Sequence, residues 1–228
     1  MNNNYFYYNM YIKRFFCKKI YYTVEGVNKS FWHDIPLKKG DTYNMVIEIN
    51  ALNRTIREMT TKEINNPILV KKPKPLPLQT EYPIKIRDYS KDPAMNYGFF
   101  PQTYSSKEKI YRGLYCGDGD PLDVIELGGP TNYKPGDVIQ VKLLGSFCLI
   151  DQSEVDWKIV VTNVLNRDNV SLEKIKKVMK WFKMFKSFYG KKENTILEND
   201  KFFNIEESEK VIEECHLDYL DYKRNIKL

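Results

Sequence analysis

The sequence has few of the residues that a zinc protein or a disulfide-linked secreted domain needs. It contains two histidines and four cysteines in 228 residues, and no cysteine lies in a C-x-x-C pair or another spacing typical of metal ligands. No run of eighteen apolar residues occurs, so the sequence predicts no membrane-spanning helix. Free thiols are typical of a reducing compartment, and we expect the cytoplasm.

The chain has the length of one ordinary domain and enough apolar side chains to fill a core. Hydrophobic residues make up 42% of the sequence, which excludes disorder over the whole chain. The formal charge of +6 arises from 29 Lys and 7 Arg against 30 acidic residues. Such an excess fits either an anionic ligand or an ordinary solvated surface, so charge alone does not identify a partner.

The first 24 residues differ in composition from the rest. They contain no Asp or Glu and carry four cations, Lys13, Arg14, Lys18 and Lys19. An acid-poor, basic start fits an organelle presequence, but Ser and Arg are not enriched, which favours an edge strand with a loose Asn-rich tip. We therefore expect residues 1–24 to form an N-terminal extension and residues 25–228 to form a single domain.

Short segments with strand composition, separated by Gly and Pro turns, are typical of a small β-barrel. These segments are residues 43–49, 82–87, 124–127, 138–144 and 157–161. Apolar residues then recur at helical spacing from Leu172 to Phe185, and Gly190 provides a stop. A weaker helical pattern covers residues 206–223. The sequence therefore predicts mainly β structure with two C-terminal helices.

The strongest chemical feature is the segment Gly117-Asp118-Gly119-Asp120-Pro121-Leu122-Asp123. Its three carboxylates repel one another, and a multivalent cation relieves that repulsion. A calcium loop of the EF-hand type is excluded, because Asp123 and Gly129 stand where that loop needs Gly and Glu. A solvated acidic turn is the alternative interpretation of this segment taken alone.

Two lysines, Lys158 and Lys186, are candidates to bind phosphate oxygens. If residues 156–161 are extended, Asp156 and Lys158 share one face of the strand. Lys186 falls on the apolar stripe of the first predicted helix, where its ammonium must extend to solvent or meet an anion. Carboxylates for Mg²⁺ beside such lysines indicate a site for a metal-bound polyphosphate, and metal-assisted phosphoryl transfer to water.

Several motifs of this chain match one known family. They occupy residues 31–37, 44–49, 96–103, 118–123, 151–158 and 181–194. With these motifs, the chain from about Tyr21 to its end resembles the soluble family I inorganic pyrophosphatases of the eukaryotic type. The resemblance implies a five-stranded, OB-like β-barrel with an N-terminal β extension and helices packed on it. It also implies hydrolysis of pyrophosphate to two orthophosphates with several Mg²⁺ ions.

The resemblance also implies a role for each matching residue. The metal ligands would be Asp118, Asp123, Asp151, Asp156 and Glu58. Asp120 would be the general base that takes a proton from a metal-bridging water, and Glu48 would orient water behind the ligands. The substrate would be bound by Arg87, Tyr97, Lys158, Lys186 and Lys191.

Four departures from the family pattern weaken parts of this assignment. One is the distance from Arg87 to Tyr97, which is shorter than in the eukaryotic enzymes. The family lysine two residues before Glu58 is Ile56 here, and Arg57 would point to the opposite face of a regular strand, so Arg54 or Arg57 would need a bulge to replace it. The family tyrosine before Lys186 is Phe185. The segment that helps eukaryotic members dimerise is replaced by residues 50–52, so a homodimer is only weakly implied.

Two other functions stay open at this stage. One is a divergent hydrolase with low activity, which the changes at Ile56 and Phe185 would explain. The other is a basic OB-like barrel that binds nucleic acid or another polyanion. The complete aspartate set argues against a binder, since a pure binder has no use for carboxylates around metals. We therefore expect pyrophosphate as the partner, and neither nucleic acid nor membrane.

Overall fold

The computed structural model describes residues 19–52, 55–71, 95–111, 113–130, 132–151, 153–166, 170–187 and 192–225. Within these ranges the strands are β1 (Tyr22–Val24), β2 (Val27–Lys29), β3 (Lys38–Lys39), β4 (Thr42–Ile49), β5 (Arg57–Met59), β6 (Ile68–Val70), β7 (Asn96–Phe99), β8 (Ile110–Tyr111), β9 (Tyr115–Gly117), β10 (Asp123–Glu126), β11 (Val138–Asp151), β12 (Glu154–Asn163) and β13 (Thr195–Ile196). The helical segments are α1 (Leu172–Met184), α2 (Leu197–Asp200) and α3 (Ile205–Asn225). The predicted strand at 82–87 and the predicted helix stop at Gly190 lie outside the described residues.

Five of the strands close into a barrel. Hydrogen-bonded neighbours follow the order β11, β4, β7, β10 and β12, and β12 pairs back onto β11, so the ring is complete. The β10–β12 pair is parallel, and the other four pairs are antiparallel. The predicted mainly β fold with a five-stranded, OB-like barrel is confirmed.

The strand β11 is longer than the sequence predicted. It continues to Asp151 instead of ending at residue 144, because Gly145 interrupts the apolar run without ending the strand. Gly145 has φ 151°, the pairing with β12 shifts there, and a Cβ at this position would lie 2.4 Å from the carbonyl oxygen of Phe203. Residues 138–141 of β11 pair with β4, and residues 141–151 pair with β12 on both sides of this bulge.

The buried apolar side chains form three clusters. The barrel interior is filled by fully buried residues such as Met45, Ile47, Val124 and Ile159. A second core lies between the barrel and α1, and a third lies between the N-terminal turn and α3. Burial of each such large side chain stabilises the fold by about 1.5–3 kcal/mol. The barrel is therefore a rigid base for the residues at its rim.

The two predicted C-terminal helices, α1 and α3, are confirmed. The N-cap of α1 is Ser171, whose hydroxyl accepts a hydrogen bond from the N–H of Lys174 at 3.2 Å. The segment α2 is a single turn in which Glu198 and Asn199 have left-handed φ values of 52° and 56°. In the part of the chain that the structure describes, none of the helices has the length and hydropathy to cross a membrane.

The strands β5 and β6 form a small hairpin beside the barrel. Arg57 pairs with Val70 and Glu58 pairs with Leu69, in a register without a bulge. The pairing extends by one step, because the N–H of Lys71 donates to the carbonyl oxygen of Ile56 at 2.9 Å.

The N-terminal part of the described chain meets this hairpin. Ile20 and Ile68 exchange backbone hydrogen bonds of 3.0 and 2.9 Å. Residues 1–18 lie outside the described residues, so the division into an extension of residues 1–24 and a domain of residues 25–228 stays a prediction.

Candidate active site

The aspartate loop, residues 118–122, connects β9 to β10. Both strands run parallel to β12 and lie end to end along its edge: β9 pairs with residues 154–155, and β10 begins with Asp123 opposite Lys158. The loop therefore leaves the sheet beside Asp156. Strand register thus places the motif at 118–123 next to the second acidic motif, although the two are far apart in sequence.

Residues 100–106 form hydrogen bonds with the aspartate loop and fix its position. The N–H of Ser105 donates to the carbonyl oxygen of Asp120 at 2.9 Å. The fully buried hydroxyl of Thr103 accepts a hydrogen bond from the N–H of Leu122 at 3.0 Å. Sequence reasoning gave neither Thr103 nor Ser105 a role; the only available signal was that Thr103 closes the motif at 96–103.

The carboxylates of the loop crowd against their neighbours. Loss of solvation raises the pKa of Asp118 to about 8, and the charges of Asp156 and Asp123 add to the shift. Loss of solvation and then the charge of Glu58 raise the pKa of Asp120 to about 6, although Asp120 is exposed at the mouth of the site. Lost solvation is the larger cause of both shifts, and the added effects of neighbouring charges indicate that these carboxylates lie close together. The structure therefore brings these five acidic residues into one region.

A single buried ammonium lies among these carboxylates. Lys158 is 3% exposed, and its Nζ bonds to Oδ2 of Asp123 and Oδ1 of Asp156. Burial lowers the pKa of Lys158, but the two carboxylates outweigh that effect and raise it overall. Asp156 and Lys158 share one strand face, as the alternation predicted. The ammonium also lies 5.7 Å from the ring centre of Tyr97, which places this predicted substrate ligand beside it.

The donor set fits a divalent cation in its chemistry. Within the described ranges, no three Asp, Glu, His or Cys side chains are arranged to hold a metal ion as they stand. The ion pairs with Lys158 partly account for this, because they occupy oxygens of Asp123 and Asp156 that a metal ion would use. Asp118 lies close enough to both carboxylates for their charges to raise its pKa, in addition to the larger effect of lost solvation, so three carboxylates stand near one ammonium. Hard carboxylate oxygens in such excess suit Mg²⁺.

Asp151 and Lys186 form an outer pair at the rim of the site. The Lys186 Nζ lies 2.6 Å from Oδ1 of Asp151, and both side chains are partly exposed. The prediction that Lys186 lies on the helix is wrong, because α1 ends at Met184 and Lys186 lies in the turn that follows. That turn directs the ammonium to an anion, which was one of the two expected outcomes. Asp151 lies on the same face of β11 as Leu149, and Leu149 is paired with Asp156 on β12. Asp151 and Asp156 therefore lie on the same face of the sheet.

Two of the predicted substrate ligands, Arg87 and Lys191, lie outside the described residues. Arg57, a candidate for the missing family cation, does not gain access to the site through a bulge, since the register of β5 and β6 is regular. One guanidinium nitrogen of Arg57 is buried without a hydrogen-bond partner among the described residues, and burial lowers the pKa of Arg57.

Glu48 lies buried behind the site. Its Oε1 accepts a hydrogen bond from the N–H of Met59 at 2.5 Å. Loss of solvation raises the pKa of Glu48 well above its ordinary value of 4.5, and the charges of Asp123 and Glu58 raise it further. A buried carboxyl with one hydrogen-bond donor is costly to ionise, so the folded chain is less stable when Glu48 is charged.

We expect Glu48→Gln to stabilise the metal-free chain at pH 8 by about 0.5–2 kcal/mol. Below pH 4.5, Glu48 is protonated in both the folded and the unfolded chain; above it the unfolded chain ionises first. The stabilising effect of the protonated form is therefore lost as the pH rises through the folded pKa, whereas Gln stays neutral. Thermal unfolding in EDTA from pH 4 to pH 8 measures this difference. An equal gain at both ends of the range would contradict it.

The sequence of this chain is similar to the sequences of one protein family. Residues 45–220 match the family model described as inorganic pyrophosphatase. The chain is 35% identical over 217 residues to the probable inorganic pyrophosphatase of Plasmodium falciparum (isolate 3D7), which covers 86% of this chain and 54% of that protein. The chain thus spans about half the length of this curated relative.

Solved structures show the same similarity. The inorganic pyrophosphatase of Schistosoma japonicum matches with a TM-score of 0.75 and 31% identity, over 88% of this chain and 75% of that one. An N-terminal domain truncated vacuolar soluble pyrophosphatase of Trypanosoma cruzi, solved in complex with PPi, matches with a TM-score of 0.72 and 30% identity, over 87% of this chain and 81% of that one. With its barrel, its aspartate loop and these matches, the chain belongs to the inorganic pyrophosphatase family.

Proposed function

We propose that this chain hydrolyses inorganic pyrophosphate to two orthophosphates with Mg²⁺ as its cofactor. The observation that carries the proposal is the double ion pair of the buried Lys158 with Asp123 and Asp156, together with Asp118, whose pKa the charges of both carboxylates raise. Carboxylate oxygens suit Mg²⁺, and a fixed cation suits the oxygens of a phosphate. The PPi complex of the Trypanosoma cruzi relative supports the choice of substrate.

The acidic residues divide into inner and outer metal ligands. Asp118, Asp123 and Asp156 would hold the first Mg²⁺, with Asp151 and Glu58 for further ions. When bound, Mg²⁺ neutralises charge on phosphate oxygens and makes water a stronger acid. Glu48 would orient water from behind the ligands.

Asp120 is the general base in this proposal. In the metal-free chain its pKa of about 6 leaves it ionised at neutral pH, yet makes it a stronger base than an ordinary aspartate with a pKa of 3.8. One carboxylate oxygen takes a proton from the attacking water. The water oxygen then forms a bond to phosphorus while the bridging P–O bond breaks, and the leaving phosphate keeps the electron pair of that bond.

The cations of the site bind the phosphate oxygens. Lys158 is buried beside the proposed metal ligands Asp123 and Asp156, so its ammonium is already in place to stabilise charge that develops on a phosphate oxygen. Tyr97 on β7 has its ring centre 5.7 Å from this ammonium and would contribute its hydroxyl, and Lys186 would contribute a second ammonium at the rim. Arg87 and Lys191 complete the proposed substrate set.

Phosphate release from pyrophosphate tests this function. The purified chain is assayed with Mg²⁺ from zero to millimolar concentration, and an EDTA sample serves as control. We expect release that depends strongly on Mg²⁺. A folded sample without release would contradict the proposal, and salt-sensitive oligonucleotide binding in EDTA would then favour the polyanion binder.

The proposal also includes the cellular compartment and the oligomeric state of the chain. Burial raises the pKa of the Cys148 and Cys215 thiols to about 12, and the cysteines within the described ranges are free. Reduced thiols suit the cytoplasm, which we propose as the compartment. The homodimer stays a prediction, and sedimentation equilibrium of the purified chain tests it.

A further inference from the structure

The β5–β6 hairpin places one lysine on the face of the strand that carries Glu58. Because Glu58 pairs with Leu69, the next residues that oppose each other on that face are Ile56 and Lys71, and a 2.9 Å hydrogen bond joins their backbones. Side chains that oppose each other across a ladder point to the same side of the sheet. Lys71 therefore presents its side chain on the same face as position 56.

The ammonium of Lys71 reaches the edge of the active site. Its Nζ lies 2.6 Å from Oε2 of Glu58, and the two side chains are 41% and 42% exposed. Solvent therefore has access to the pair, and an anionic ligand could approach it. Arg57, the cation of β5, belongs to the opposite face and has a buried guanidinium nitrogen.

Electrostatic effects support the same location. The charge of Lys71 lowers the pKa of both Asp120 and Glu48, against the larger effect of lost solvation. Lys107 acts on Asp120 in the same direction, but its ammonium lies 3.4 Å from Glu154 on β12. Of these two cations near Asp120, only Lys71 is paired with a proposed metal ligand.

We propose that Lys71, which directly follows β6, binds a phosphate oxygen of pyrophosphate and supplies the cation that is missing at Ile56, directly before β5. This inference rests on the proposed function. The ammonium exchanges its partner, from the carboxylate of Glu58 to the phosphate, when substrate enters. Glu58 is thereby left available as a metal ligand at the same moment, so one lysine couples the two events.

Lys71→Met tests this role, with Lys71→Arg as the conservative variant. We expect Lys71→Met to raise the KM for pyrophosphate by about 10- to 100-fold, the effect of losing one charge-assisted hydrogen bond. We expect kcat to change by less than about 3-fold, because the contact is made in both the ground state and the transition state. Lys71→Arg should keep most of the affinity.

The double variant Ile56→Lys with Lys71→Ile exchanges the two side chains, so that the cation stays on the same face of the hairpin but comes from position 56. We expect it to recover most of the substrate affinity that Lys71→Met loses. Two control variants complete the set. Lys107→Met removes a cation that also acts on Asp120, and Lys142→Met removes an exposed lysine of β11; both should leave KM within about 3-fold of the parent.

Calorimetric binding of imidodiphosphate, a non-hydrolysable analogue, separates this inference from the proposed function. Weaker binding to Lys71→Met supports the role of Lys71 even if the parent chain turns over no substrate, a result that would reject the proposed function alone. Unchanged binding and unchanged KM would overturn the inference. A fall in kcat with unchanged KM would also overturn it, because Lys71 would then act only by holding Glu58.

Discussion

Replacement of Asp120 by Asn is expected to lower turnover of pyrophosphate by about 10²- to 10⁴-fold, the usual contribution of a general base. The side chain keeps its shape but loses the ability to take a proton. Steady-state phosphate release at saturating Mg²⁺ measures the effect. Calorimetric titration of Mg²⁺ measures whether the metal affinity is retained.

The fold should tolerate this change because the backbone of Asp120 makes the local contacts. Its N–H donates to Oδ1 of Asp118 at 3.1 Å, and its carbonyl oxygen accepts from Ser105. Neither bond uses the carboxylate of Asp120. We therefore expect the midpoint of thermal unfolding to stay close to that of the parent chain, so that the loss of turnover can be assigned to chemistry.

A matched control is Asp221→Asn, which removes an equally charged group from an exposed position of α3. It should leave turnover within about 2-fold, since exposed ion pairs contribute little. If Asp120→Asn and Asp221→Asn have the same turnover, Asp120 is not the base.

Replacement of Lys158 by Met is expected to lower the free energy of unfolding of the metal-free chain by about 3–5 kcal/mol. The variant leaves Asp123 and Asp156, whose side chains are 28% and 22% exposed, without their shared cation. It should also abolish most turnover, because no other described ammonium is fixed between these carboxylates. Urea denaturation in EDTA measures the loss of stability.

Added Mg²⁺ should stabilise Lys158→Met more than it stabilises the parent. In the parent, Mg²⁺ competes with an ammonium for Asp123 and Asp156, whereas in the variant those carboxylates have no other cation. Lys142→Met is the matched control, since Lys142 is an exposed lysine on the neighbouring strand β11. Equal stabilisation of parent and variant by Mg²⁺ would show that the carboxylates of β10 and β12 do not bind the metal.

The secondary structure of this chain could largely be predicted, because it depends on local periodicity. The apolar run at 43–49 became β4, and the helical stripe that starts at Leu172 became α1. Local signals failed where a neighbour in space decides the outcome. Gly145 resembles a strand end in sequence, yet the contact with Phe203 turns it into a bulge within β11.

The candidate site could be predicted in composition but only partly in arrangement. The motif at 118–123 identifies its own carboxylates, because spacing and resemblance both indicate them. The double ion pair of Lys158 could not be predicted, since it depends on the register between β10 and β12. The position of Lys71 opposite Ile56 depends in the same way on the pairing of β5 with β6.

The end-to-end placement of β9 and β10 along β12 limits how this sequence can change over generations. The spacing between residues 154–155 and Lys158 on β12 must match the length of the aspartate loop that crosses beside it. Loss or gain of one residue in that part of β12 would turn Asp156 to the opposite face, away from Asp123. Insertions and deletions should therefore be absent from this part of the strand in relatives that retain activity, and should accumulate instead in exposed connections.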